Sequence, residues 1–209
     1  DRAREILSAL LDPKFLQFDI TDRPTFSAAC GLVEYSDIHN KFIEPIFLSD
    51  GVNNTLGEWI SKKEKTQYRL SETEKFPHVT FFFNGGVENI YPGETRCHIP
   101  SPQVATYDLL PEMAAEQVTE KLTQAIESRC YDFILVNYAN PDMVGHTGSL
   151  KATIRACEAV DLALGEILKA IRKVSGLMLL TSDHGNCEKM FDLDTGMPHT
   201  AHTLNKVPI

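Results

Sequence analysis

The sequence has no C-x-x-C pair, no basic patch and no apolar run long enough to cross a membrane. No secretory leader pattern opens it. Its five cysteines, Cys30, Cys97, Cys130, Cys157 and Cys187, are scattered and odd in number, which argues against a disulfide framework and for free thiols in a reducing compartment. The expectation is a cytoplasmic protein. Twenty Lys and Arg face 29 Asp and Glu, a formal net charge of -9, so neither nucleic acid nor a membrane is an expected partner. An acidic protein that handles an anion must gather positive charge locally, through arginine, lysine or a metal ion.

What is present centres on residues 133–148. The apolar run Phe133 to Val136 reads as a buried strand. It stops in turn chemistry, with Asn140-Pro141 opening a loop and Gly145 and Gly148 relaxing it. Asp142 and His146 then lie just past the carboxyl end of a parallel strand, where open α/β sheets bind ligands. A carboxylate and an imidazole four residues apart can converge on one divalent cation. Read alone, the pair fits a turn aspartate and a surface histidine equally well.

The flanking chain supplies the layers. Residues 1–11 read as a helix ended by Pro13, with Arg2 at its amino end, either solvated or placed for a phosphate. Residues 26–35 (FSAACGLVEY) read as a strand, and 36–55 as a hinge. Residues 55–63 form a short helix capped by Thr55, and Gln67 to Leu70 a short strand. In 75–86 (KFPHVTFFFNGG) three phenylalanines favour a strand, while Pro77 and Gly85 bracket a short helix; the expectation leans to helix. Lys75 opens that run, and His78 reads as a structural histidine. A turn-rich stretch, 85–111, precedes a helix over 112–128. Ser149 caps the longest helix, whose stripe is Ile154, Cys157, Val160, Ala163, Leu164, Ile167, Leu168 and Ile171. Leu177 to Leu180 then reads as a second buried strand. The order strand–helix–strand predicts a βαβ unit, hence an α/β fold with a parallel sheet flanked by helices.

The second strand runs into Thr181-Ser182-Asp183-His184-Gly185-Asn186, placing another Asp–His pair on the same sheet edge. His199 and His202 follow in Pro198-His199-Thr200-Ala201-His202-Thr203. Two aspartates and several histidines on one edge make a metal site the leading expectation. Cys187 lies beside the Asp183-His184 pair, but nothing nearby marks a thiolate nucleophile.

Together, NPDMVGHTG (140–148), SDHGN (182–186), PHTAHT (198–203), KFPHVTFFFNGG, IPSPQVATYDLLPEM (99–113) and the opening Asp-Arg pair resemble the cofactor-independent phosphoglycerate mutases of the alkaline phosphatase superfamily. The resemblance runs over nearly the whole chain, in the family's order. It implies an alkaline-phosphatase-like parallel-sheet core with helices on both faces, plus a remnant of a second α/β domain. Residues 1–50 would be the last part of an inserted, substrate-binding transferase-like domain, and 51–209 the second part of the phosphatase-like domain. It also implies interconversion of 3- and 2-phosphoglycerate in glycolysis through a phosphoserine and two divalent metals, manganese or magnesium, in an enzyme that is a monomer when complete. By position, Asp142, His146 and His202 resemble the ligands of one metal, and Asp183 and His184 two ligands of the other. Arg2 and Lys75 resemble substrate-binding residues. His202 is preferred to His199 because the Thr-Ala-His-Thr portion carries the match. The family's serine nucleophile has no counterpart in these residues and is expected upstream of residue 1, so the chain is expected to be an internal-to-C-terminal piece, inactive alone. The Asp/His scaffold also suits a phosphopentomutase, a phosphatase or a sulfatase; Lys75 and the FFFNGG segment favour the glycerate enzyme. A non-catalytic metal-binding fragment is the alternative of a different class.

Overall fold

A computed structural model describes residues 2–36, 38–48 and 51–209, without the Arg2 side chain. The chain forms two compact units, Asp1–Gly51 and Val52–Ile209.

The first unit contains helix α1 (Arg2–Leu11), strand β1 (Cys30–Val33), a 3-10 turn (His39–Lys41) and strand β2 (Glu44–Phe47). The strand expected over 26–35 is confined to its middle, where β1 pairs in parallel with β2, Cys30 opposite Glu44 and Val33 opposite Phe47. Gly31 is required there: a Cβ would come within 2.7 Å of the Tyr35 ring. His39 is buried, its ring held by the Ser36 hydroxyl at 2.7 Å and the Ser8 hydroxyl at 3.1 Å. The Arg2 side chain, and with it the expected phosphate contact, lies outside the described residues.

The second unit is built on a three-stranded parallel sheet in the order β4-β3-β5, with β3 (Gln67–Glu72) central, β4 Glu94–Ile99 and β5 Phe133–Asn137. Before β3 comes helix α2 (Leu56–Lys62), where the Glu58 amide donates to the Thr55 hydroxyl as expected of a cap. All six residues of β3 are buried although four are polar, and each of the four side chains makes at least one hydrogen bond, although Arg69 Nε has none. Gln67 donates to the Gly57 carbonyl, Arg69 donates to Gln67 and lies over the Phe83 ring, and Ser71 donates to the Asn137 carbonyl. Tyr68 and Leu70, alternating with them, face the opposite way into the core. That core joins β3 to helices α3 (Ala115–Ser128) and α5 (Leu150–Val174) through Val118, Leu122, Ala125, Ile126, Ile167 and Ala170. Helical segments therefore cover both faces of the sheet.

Residues 73–82 are helical, in irregular 3-10 and π turns, which decides the phenylalanine-rich run for helix. The 112–128 helix starts later, at Ala115, because Met113 takes a positive φ of 44° and breaks the turn. Ser149 caps α5 through the Ala152 amide. The buried stripe of α5 keeps Ala163 and Ile167 of the expected one, with Leu164 and Ile171 packed against the core, and departs from it elsewhere. It runs through Ala152, Ala156, Ala163, Ile167 and Ala170, while Ile154 and Leu168 face solvent, because small residues let α5 pack close against α3 and the short helix that precedes it. The expected strand over Leu177 to Leu180 is not formed. Leu177 and Leu179 are 87% and 79% exposed, and no ladder partner lies beside them among the described residues. A strand exists by virtue of its neighbour, and apolar composition alone does not make one.

Candidate metal centre

The stretch after β5 is a helix, not the expected loop. Pro141 lies in the first turn of α4 (Asn140–Gly145), as suits a proline whose missing amide hydrogen costs nothing there. The helix strengthens the pairing of Asp142 with His146. One helical turn apart, they share a face, and His146 Nε2 lies 3.1 Å from Asp142 Oδ1.

The segment 183–203 doubles back on itself. Gly185 pairs with Thr203 and Phe191 with Pro198, both antiparallel. This fold-back, rather than a strand end, carries His202 to Asp142, with Nε2 3.0 Å from Oδ1, and stacks its ring on His184 with centroids 3.7 Å apart. One ligand atom each from Asp142, His184 and His202 lie within 4.8 Å of one another. The second expected pair is looser: His184 Nε2 lies 3.7 Å from Asp183 Oδ2, and the Asp183 side chain is half exposed. His184 thus joins the Asp142 cluster as well as neighbouring Asp183. His199 is not among the clustered donors; its backbone amide donates to the Met190 carbonyl at 2.9 Å.

Two further groups set the charge. The Lys75 ammonium, only 6% exposed, bonds Asp142 Oδ2, and the Asn186 side-chain amide donates to Oδ1 at 2.7 Å. Burial pushes the Asp142 carboxyl up, but the hydrogen bonds from Lys75 and Asn186 outweigh it and hold the group below the usual carboxylate range. His78, expected to be structural, has its pKa lowered by burial and then by the nearby Lys75.

The donor set suits a divalent cation. His146 Nδ1 donates to the Thr200 carbonyl at 2.7 Å, so in the neutral ring Nε2 carries the lone pair and points at Asp142. His146 Nε2, His202 Nε2 and Asp142 Oδ1 are separated from one another by 3.0 to 3.1 Å. Adjacent ligands of an octahedral cation with bonds of about 2.1 Å are about 3.0 Å apart. Mixed imidazole and carboxylate donors suit first-row divalent ions.

Sequence reasoning assigned no role to Asn186 or to the Thr200 carbonyl. Asn186 stood inside the SDHGN segment, but an amide is informative only once its partner is known. Gly145 belongs to the same arrangement: a Cβ there would lie 2.4 Å from Asn186 Oδ1.

Residues 46–209 match the family described as the Metalloenzyme superfamily. Over its full length the chain is 56% identical to the 2,3-bisphosphoglycerate-independent phosphoglycerate mutase of Ruegeria pomeroyi, covering 41% of that protein. The mutase of the same name from Agrobacterium fabrum is 55% identical over the full chain, again with 41% of its length covered. Among solved structures, Leishmania mexicana phosphoglycerate mutase at low cobalt concentration matches with a TM-score of 0.89 at 33% identity, covering 99% of this chain and 40% of that one. The chain thus spans about two-fifths of the length of the curated relatives it matches. With a family match over most of its length and a clustered Asp–His donor set inside it, the chain belongs to the Metalloenzyme superfamily.

Proposed function

We propose that the protein carrying this chain interconverts 3-phosphoglycerate and 2-phosphoglycerate through a phosphoserine intermediate. The observation that carries this reading is the 56% identity, over the entire chain, to a curated relative of that activity. Asp142, His146 and His202 would hold one divalent cation, and Asp183 and His184 would contribute to a second. Manganese and magnesium are the ions we favour. The shared patch of Asp142, His184 and His202 donors supports two neighbouring cations, since such pairs lie about 3.5–4 Å apart. Bound there, they would lower the pKa of a serine hydroxyl and neutralise charge on the phosphoryl oxygens.

The chain's own residues do the rest. Thr200 fixes the tautomer of His146. Lys75, buried and bonded to Asp142, holds a positive charge beside the ligands, where an incoming phosphoryl oxygen would be neutralised. Arg2 would grip a carboxylate or phosphate with two parallel hydrogen bonds. The attacking serine lies outside these 209 residues. The reading includes a monomeric, cytoplasmic enzyme of glycolysis and gluconeogenesis; the free cysteines support the reducing compartment.

The test is a coupled assay of 3- to 2-phosphoglycerate conversion by the complete protein with added manganese, with inorganic phosphate followed in parallel. We expect turnover with little phosphate release, abolished by a chelator and restored by manganese. Phosphate release without 2-phosphoglycerate would replace the mutase reading with a phosphatase, and isomerisation of a phosphopentose would replace it with a phosphopentomutase.

A further inference from the structure

Cys157 and Cys187 approach each other although they are 30 residues apart in sequence; their sulfurs are hydrogen bonded at 3.8 Å. Cys157 is exposed on α5, in its first half. Cys187 is partly exposed on the fold-back, directly after Asn186. A small oxidant reaches both. We propose that these two cysteines form a reversible disulfide under peroxide, and that closing it loosens the metal centre.

Thiol chemistry supports the first half. The hydrogen bond between the two sulfurs lowers the Cys157 thiol to about 7 and pushes Cys187 up, so Cys157 is the one of the pair that ionises near neutral pH. The Cys157 sulfur attacks one peroxide oxygen; an S–O bond forms, the O–O bond breaks, and hydroxide leaves and takes up a proton. The resulting sulfenic acid is then attacked by the Cys187 sulfur, which loses its proton. An S–S bond forms, the S–O bond breaks, and a second water leaves. Two thiols lose two electrons and hydrogen peroxide is reduced to two waters.

Geometry supports the second half. A disulfide needs its sulfurs about 2.0 Å apart, so the pair must close by about 1.8 Å. The helix is held by the core along its length, whereas residues 183–203 contain only isolated bridges. The fold-back is the part that moves, and it carries Asn186, the donor to Asp142 Oδ1. Groups that orient a metal ligand are worth about 10- to 100-fold in affinity. This half rests on the metal-centre reading; formation of the disulfide does not.

The experiment uses the complete protein, manganese-loaded, treated with stoichiometric hydrogen peroxide and then alkylated. Peptide mapping should show a 157–187 cross-link, two hydrogens lighter than the separate thiols and reversed by dithiothreitol. C157S and C187S should each abolish it. In parallel, manganese retention on dialysis should weaken about tenfold on oxidation, recover with dithiothreitol, and stay constant in peroxide-treated C157S. Separate sulfinic acids without a cross-link would overturn the disulfide. A cross-link with unchanged manganese retention would overturn its effect on the site. If the reduced protein retains no manganese, the metal reading falls, while the cross-linked peptide still decides the disulfide.

Discussion

Glu72 ends a strand in which every residue is buried, and its carboxylate is served by two donors, the Ser101 hydroxyl at 2.8 Å and the Ala114 amide at 3.4 Å. Burial raises its pKa from the usual 4.5, and those hydrogen bonds only partly offset the rise. An acid with a raised folded-state pKa binds its proton more tightly when folded. Its contribution to stability is therefore full below pH 4.5 and is lost as pH rises through the folded value. Glu72→Gln removes the titration at a roughly constant cost of about 1 kcal/mol, because the amide NH2 must face one of two donors. Urea midpoints measured from acid to neutral pH should show the wild type's advantage over E72Q shrinking as pH rises. A constant gap would mean that burial does not perturb this carboxyl. Residues of this kind explain what the sequence concealed. Asp and His are chemically suggestive wherever they stand, so Asp142, His146, Asp183 and His184 stand out by type and spacing, while His202 is singled out from His199 only by the family resemblance. Glu72, Asn186 and the Thr200 carbonyl act only through partners far along the chain.

At the scale of elements, the same contrast appears in β3. The sequence there predicts only a short strand over Gln67 to Leu70, yet β3 runs to Glu72 and is the centre of the sheet, because polar members find partners in α2, Phe83 and β5. Local pattern reports the face of an element, not its rank in the sheet. The sequence after β5 predicts a loop where the helix stands, because Asn-Pro marks a turn start as readily as a helix start. That helix meets the fold-back through a close approach of Gly145 to Asn186, where an added methyl lies 2.4 Å from the amide oxygen. Asn186 is buried and bonded to Asp142, so it has little room to yield without releasing the carboxylate. Gly145→Ala favours the helix locally by up to about 1 kcal/mol. It should nevertheless weaken manganese binding by about tenfold, by displacing the group that orients Asp142. Manganese titration alongside far-UV circular dichroism separates the two effects; unaltered affinity in a folded variant would show that the approach is slack.

At the scale of the whole molecule, the segment 177–180 has the apolar composition of a strand without its ladder. Met178 packs against the core that joins the sheet to α3 and α5, while Leu177 and Leu179 face outward. The sequence correctly reported an apolar segment after a long helix. Whether such a segment becomes a strand depends on a hydrogen-bonding neighbour and on a layer to cover its outer side chains. A crossover from β5 through α5 returns to a position parallel to β5, with helices covering both faces of a fully formed sheet. The curated relatives are more than twice as long as this chain, which covers 41% of the Ruegeria pomeroyi protein. The remaining residues of a complete protein of that size are enough to supply the cover. Hydrogen exchange distinguishes the states: amides of 177–180 should exchange freely in the 209-residue chain and be protected in the complete protein. The core amides of β3 should be protected in both, since that strand already has a neighbour on each side. Equal, rapid exchange at 177–180 in the two proteins would mean that this apolar run is not a strand in either, and that the Asp183–His184 pair is held by the fold-back alone.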